Sequence, residues 1–72
     1  MNPKEKNFIR IAENRTNKII NMIELIGNLS NKSYYEYTEI QIDAIFDTIQ
    51  KTLDEQRSKF VQANSSTKKF KL

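Results

Sequence analysis

The chain has 72 residues, of which 38% are hydrophobic and 29% charged, and it contains neither cysteine nor histidine. This size is near the lower limit for a self-sufficient core, so we expect a single domain that gains stability from a partner. Disulfides, thiolate nucleophiles, imidazole acid-base groups and thiolate or imidazole metal sites are excluded. With one glycine there is no glycine-rich phosphate loop, and no carboxylate pair lies in an apolar stretch. The sequence predicts a non-enzymatic protein without cofactor, metal or small-molecule substrate.

The net charge of +3 is unevenly distributed along the chain. Residues 1–18 hold five basic and two acidic residues, a net of +3. Residues 19–50 hold one basic and five acidic residues, a net of −4. Residues 51–72 hold six basic and two acidic residues, a net of +4. The two ends are therefore basic and the middle is acidic.

A first helix is predicted over about residues 3–29. Asn2 is suited to cap it, Pro3 to occupy its first position, and Glu5 follows three residues after the cap. Apolar residues at helical spacing form one stripe, comprising Phe8, Ala12, Ile19, Met22, Ile26 and Leu29, and a second set widens it, comprising Ile9, Ile20 and Ile23. Two ends are compatible with the sequence. Either Gly27 closes the helix in the left-handed conformation, or the helix continues to Leu29 or Ser30.

Polar turn residues over about 30–37 precede the clearest start signal in the chain. Thr38 followed three residues later by Gln41 predicts a capping box. Tyr37 and Ile42 can add a hydrophobic staple across that cap. We therefore expect the chain to reverse here.

The second helix, predicted over about residues 39–63, carries a coiled-coil-like repeat. Its seam positions alternate at spacings of four and three residues, comprising Ile42, Phe46, Ile49, Leu53, Gln56, Phe60 and Ala63. Residues 65–72 are predicted to form a flexible basic tail.

These elements predict an all-α fold: an antiparallel two-helix hairpin over residues 1–64, followed by a disordered basic C-terminal tail. Two helices bury little surface, so we expect a homodimer that forms a four-helix bundle. The predicted hairpin or dimer seam comprises Phe8, Ile19, Ile23, Ile26, Ile42, Phe46, Ile49, Leu53 and Phe60. The longest apolar run is too short for a membrane span and no leader segment is recognised, so we expect a cytoplasmic protein that does not contact a membrane.

Arg15 and Gln56 interrupt the two apolar seams. In an antiparallel hairpin that sets Leu29 near Ile42, both residues lie at one level and form a polar layer that fixes the register. The alternative is that Arg15 extends out of the seam and Gln56 is tolerated, and a helix displaced by one turn would set Arg15 near Leu53 instead.

Two polar or aromatic surfaces have both structural and functional interpretations. Tyr34, Tyr35 and Tyr37 can stack on a base or a partner, or they can cover the core, and acidic neighbours favour the second role. The asparagine-rich face of the first helix has residue types that read base edges, but an exposed solvated face is the favoured interpretation.

The segment 10–20 (RIAENRTNKII), followed by 25–33 (LIGNLSNKS) and 35–38 (YEYT), resembles small uncharacterised open reading frames of plasmids and integrative conjugative elements in low-GC Gram-positive bacteria. The similarity covers about residues 8–60. It implies a mobile genetic element as context and supplies no activity or functional residue.

Two functions follow as hypotheses. In the first, a DNA-associated accessory or regulatory protein uses the basic open end of the hairpin. Its phosphate contacts would be Lys4, Lys6, Arg10, Arg57, Lys59, Lys68, Lys69 and Lys71. In the second, the chain is a protein-interaction module or inhibitor that docks on a host or element-encoded protein. The modest net charge, with acids beside most bases, favours the second.

Overall fold

The computed structural model of the chain describes residues 1–64 and is all-helical over that range, with two α-helices and no strand. Helix α1 spans Pro3–Asn28 and helix α2 spans Glu39–Asn64. The chain divides into two units, Met1–Glu36 and Tyr37–Leu72, and among the described residues α1 lies in the first and α2 in the second. Over the described range neither helix combines the length and apolarity that crossing a lipid bilayer requires. The predicted tail at 65–72 lies outside the described residues.

Asn2 caps the N-terminus of α1 as the sequence predicts. Its backbone is extended, with φ −78° and ψ 164°, and its Oδ1 accepts the backbone N–H of Glu5 at 2.8 Å. The Nδ2 of Asn2 donates to Oε1 of Glu5 at 3.0 Å, so the two side chains also hold each other. Pro3 follows at the first helical position, where its missing N–H leaves no intrahelical bond unmade. The start of α1 is therefore set within four consecutive residues.

The end of α1 shows that one predicted alternative, closure by a left-handed Gly27, is wrong. Gly27 lies inside the helix and does not have a positive φ. The helix continues to Asn28, and Leu29 caps it in right-handed geometry with φ −71° and ψ −6°. The N–H of Leu29 donates to the carbonyl of Ile26 at 3.0 Å and that of Ser30 to the carbonyl of Gly27 at 3.1 Å. These tightened bonds satisfy carbonyls at the helix end, so no left-handed residue is required.

The segment after α1 is organised by Asn31. Its side-chain Oδ1 accepts the N–H of Ser33 at 2.9 Å, and its carbonyl accepts the N–H groups of both Tyr34 and Tyr35 at 3.1 Å. An asparagine that bonds the backbone two residues onward forms an Asx-turn, which substitutes for a regular turn. One residue therefore positions two tyrosines.

Thr38 and Gln41 form the predicted capping box at the start of α2. The N–H of Gln41 donates to Oγ1 of Thr38 at 3.2 Å, and the N–H of Thr38 donates to Oε1 of Gln41 at 2.9 Å. The carbonyl of Thr38 accepts the N–H of Ile42 at 3.1 Å, the first turn of the helix. Tyr37 and Ile42 are both half-buried, and a hydrophobic staple between them stays a prediction.

Within α2, three hydroxyl side chains bond back to the helix itself. Thr48 donates to the carbonyl of Ala44 at 2.7 Å, Thr52 to that of Thr48 at 2.9 Å, and Ser58 to that of Asp54 at 3.0 Å. In each of these bonds the hydroxyl donates its hydrogen to a carbonyl of the preceding helical turn. These hydroxyls therefore stabilise their own side-chain conformations.

Candidate interaction surfaces

The predicted seam residues of both helices lie at the surface of their own helix. Six of the nine are exposed by 41% to 61%, comprising Phe8, Ile19, Ile23, Phe46, Leu53 and Phe60. Ile26, Ile42 and Ile49 are half-buried, and no residue in the described range 1–64 is buried. Apolar surface of this extent along a helix is typical of a face that packs against another helix.

Arg15 and Gln56 are both exposed and occupy the seam positions that the sequence predicts. Arg15 lies seven residues after Phe8, about 20° from it around α1, so its side chain emerges within the apolar stripe. Gln56 likewise follows Leu53 by three residues along the seam of α2. The polar layer that would join these two residues stays a prediction.

The three basic residues at the start of α1 do not form one surface. Lys6 and Arg10 lie one turn apart on the same side of the helix, whereas Lys4 precedes Lys6 by two residues and points about 160° away. Arg10 also donates from Nη2 to Oδ1 of Asn7 at 3.4 Å. A DNA duplex on one side of α1 would therefore contact Lys6 and Arg10, whereas a duplex on the opposite side would contact Lys4. One duplex would not contact all three.

A shallow surface groove runs along the side of α1 that carries Lys6 and Arg10. Its lining comprises Met1, Lys6, Ile9, Arg10, Glu13, Asn14 and Asn17. The groove therefore combines two bases with an acid and an exposed isoleucine. Glu13 would repel a phosphate, so this side is better suited to a mixed protein surface than to a continuous phosphate track.

Arg57 and Lys59 on α2 are also separated around their helix. They are two residues apart and point to opposite flanks of the apolar seam, with Phe60 between those flanks. The three remaining predicted phosphate contacts, Lys68, Lys69 and Lys71, lie outside the described residues.

An acidic and polar surface lies on another side of α2. Asp47, Lys51 and Asp54 line a shallow depression there together with Gln50, whose Nε2 donates to Oδ1 of Asp54 at 3.1 Å. Within residues 1–64, no group of three or more acidic side chains is arranged to hold a metal ion.

Tyr34 and Tyr35 form an aromatic pair that the Asn31 turn presents to solvent. Their ring centroids are 6.5 Å apart with planes inclined at 59°, and Tyr34 is 80% exposed. This tilted arrangement falls in the range that aromatic pairs prefer. Their predicted role as a cover over the core stays a prediction.

Two features of these surfaces were not identified from the sequence. Asn31 organises the tyrosine turn, and the signal that could have revealed it is an asparagine two residues before a serine in a polar stretch. Ile40 is 81% exposed in the first turn of α2 and lies away from the seam. Its position, two residues before Ile42, places it on the opposite side of the helix.

Comparison with protein-family models, with curated proteins and with solved structures found no match to this chain.

Proposed function

We propose that this chain is a small non-enzymatic accessory or regulatory protein that associates with DNA through the basic end of a helical hairpin. The observation that carries the proposal is the distribution of charge, +3 over residues 1–18 and +4 over residues 51–72, against −4 between them. A hairpin reversal would bring both basic sections to one end. Concentrated positive charge attracts the phosphate backbone and dominates non-specific DNA affinity.

The hairpin and its dimerisation into a four-helix bundle are part of this proposal. Helices α1 and α2 are each 26 residues long, about 39 Å, so an antiparallel pair would match over its whole length. Both expose an apolar stripe, and a second set on α1 adds further apolar surface beside its seam. Four such helices in two chains would cover these stripes from water.

The cytoplasm and a mobile genetic element are the proposed setting. The mobile-element context rests only on the resemblance of residues 8–60 to small open reading frames of such elements. Both this context and the charge distribution favour DNA as the partner.

The experiment is a titration of a fluorescently labelled DNA duplex with the full chain at roughly 50 and 200 mM salt. Fluorescence anisotropy reports the binding. Only some of the eight predicted bases in each chain can face one duplex, and about six phosphate contacts in a dimer predict an affinity loss on the order of 10³-fold between the two conditions, because bound cations are released from DNA. Absence of binding at the lower salt would overturn the DNA proposal.

A charge-reversal variant tests which basic residues make the contacts. Lys4→Glu, Arg57→Glu and Lys69→Glu together should abolish binding while the helical circular dichroism is unchanged. The matched control reverses three bases outside the predicted contacts, Lys18, Lys32 and Lys51. Both variants change the net charge equally, so loss of binding in both would indicate an effect of total charge without a defined surface.

A protein-interaction module or inhibitor is the second candidate function. The observation that favours it is the exposure of the apolar seams together with the dispersed bases around both helices. An apolar interface depends little on salt, so a partner of this kind should remain bound when salt rises from roughly 50 to 200 mM. Loss of the complex over that range would contradict this function.

A further inference from the structure

The second apolar set on α1, together with Ala12 of the first stripe, is arranged symmetrically about Thr16. Ile9 and Ile23 lie seven residues on either side of Thr16, and Ala12 and Ile20 lie four residues on either side of it. All five positions fall within one side of the helix, at successive spacings of three, four, four and three residues. Seven residues from Thr16 there is an isoleucine in both directions. Four residues from Thr16 there is an alanine in one direction and an isoleucine in the other.

This side of α1 is open in the structure. Ile9, Ile20 and Ile23 are exposed by 42%, 48% and 41%. Thr16 is also exposed, and Ala12 is half-buried by its own helix. The stripe from Ile9 to Ile23 is about 21 Å long, the length of a short helix-helix contact.

We infer that α1 pairs with α1 of a second copy of this chain, antiparallel and about a two-fold axis at Thr16. In a two-fold pair each contact occurs twice, so Ile9 of one copy meets Ile23 of the other at both ends. Ala12 of one copy meets Ile20 of the other, which sets a small residue opposite a large one. Thr16 meets its own equivalent at the centre.

Charges beside the stripe select this direction of pairing. Lys6 and Glu24 are 18 residues apart, five full turns, so they lie on the same flank of α1. Glu24 lies eight residues after Thr16, whereas Lys6 and Arg10 lie ten and six residues before it. In the antiparallel pair, Glu24 of one copy therefore lies at a level between Lys6 and Arg10 of the other. Opposite charges then meet at both ends.

A parallel pair would not bring these opposite charges together. In a parallel two-fold pair one flank of α1 meets the other flank of the second copy, so Lys6 and Glu24, which share a flank, would lie on opposite sides of the interface from their equivalents and could not pair. The second copy in antiparallel orientation is therefore the occupant that the charges beside the stripe fit.

This inference deepens the self-association proposed above and does not require DNA binding. The flank bases Lys6 and Arg10 would be partly neutralised by Glu24 of the second copy. In such a dimer, Lys4, Arg57, Lys59 and the C-terminal lysines would remain for phosphate contact.

Cysteine pairing in the full chain tests the geometry, since the native sequence contains no cysteine. Chains carrying Ile9→Cys are mixed with mass-labelled chains carrying Ile23→Cys and oxidised mildly, and the cross-linked species are separated by mass. Only the mixed 9–23 disulfide is expected. Residues 9 and 9 of an antiparallel pair would be about 21 Å apart, far beyond the reach of a disulfide.

Each other outcome overturns the inference in a distinguishable way. Cross-links of 9 to 9 and 23 to 23 would indicate a parallel pair, and self-association as such would stand. A chain that sediments as a dimer but forms no cross-link would place the interface on another surface. A chain that sediments as a monomer and forms no cross-link would overturn both this inference and the proposed bundle.

Charge exchange provides an independent test. Glu24→Lys alone, and Lys6→Glu with Arg10→Glu, should each weaken self-association roughly tenfold, because two sets of ion pairs become repulsive. An equimolar mixture of the two variants should recover the original affinity, since opposite charges then meet again. The control mixture replaces Glu24→Lys with Glu13→Lys, which faces no base across the pair. Differently labelled chains report the mixed dimer alone, and in the control mixture that dimer should stay weaker than the original pair, because Glu24 of one chain then meets the two introduced glutamates of the other. Recovery in both mixtures, or in neither, would contradict the assigned contacts.

Discussion

Thr38 and Gln41 hold each other through two reciprocal hydrogen bonds, the N–H of Gln41 to Oγ1 of Thr38 at 3.2 Å and the N–H of Thr38 to Oε1 of Gln41 at 2.9 Å. Both bonds satisfy backbone donors that α2 leaves without an intrahelical acceptor. This pair therefore determines where the chain turns from the tyrosine segment into the second helix.

Thr38→Ala should shorten α2 at its start and destabilise it by about 1 kcal/mol, because one cap acceptor is lost. Helicity by circular dichroism and the midpoint of thermal unfolding measure the effect. Thr48→Ala is the matched control, since Thr48 bonds back to the carbonyl of Ala44 within the helix and alanine is the better helix former there. Equal destabilisation by both substitutions would show that Thr38 has no capping role.

Gly27→Ala should stabilise α1 by about 0.5 to 1 kcal/mol, because glycine loses more conformational freedom than alanine in a helix. Gly27 has no positive φ, and an added Cβ would meet no atom within 4 Å. A higher midpoint in thermal or urea unfolding is the expected result. A lower midpoint would mean that Gly27 is left-handed or closely packed in the assembled protein.

Asn2→Ala should fray the first turn of α1 at a cost of about 1 kcal/mol, because the bonds from Asn2 to the N–H and the carboxylate of Glu5 are both lost. Amide hydrogen exchange at Glu5 and Lys6 reports this locally and should accelerate. Asn2→Asp retains the acceptor and serves as the control, with exchange at Glu5 close to the original rate. Unchanged exchange in the alanine variant would contradict the cap.

Arg15→Leu combined with Gln56→Leu should raise the thermal midpoint and broaden the distribution of oligomers, if the two residues form a polar layer that fixes register. Sedimentation velocity and thermal unfolding measure the two effects. Each single variant should behave differently from the double variant, because residues in one layer are coupled. Additive effects with one unchanged oligomer would support the alternative, in which Arg15 extends out of the seam.

Helix starts were predictable from this sequence because each depends on residues three positions apart. Asn2 with Glu5, and Thr38 with Gln41, form their bonds within a single turn, so the chain need not fold further to select them. The predicted helices, about 3–29 and 39–63, differ from Pro3–Asn28 and Glu39–Asn64 by one residue at one end of each. The sequence also located the apolar stripes, since helical spacing alone determines which residues share a side.

The three-dimensional structure decided what the local pattern left open. Glycine adopts left- and right-handed conformations with similar ease, so only the structure shows that Gly27 stays helical and that Leu29 closes α1. Asparagine serves in many turns, and only the structure shows Asn31 bonding to Ser33, Tyr34 and Tyr35 at once. The candidate basic site belongs with the stripes: once the helix bounds are known, helical spacing separates Lys4 from Lys6 and Arg57 from Lys59. The sequence alone thus determined the local elements, through contacts between near neighbours. The structure determined how the end of α1 and the Asn31 turn are closed, because that depends on backbone conformations which the same residue types can adopt in more than one way.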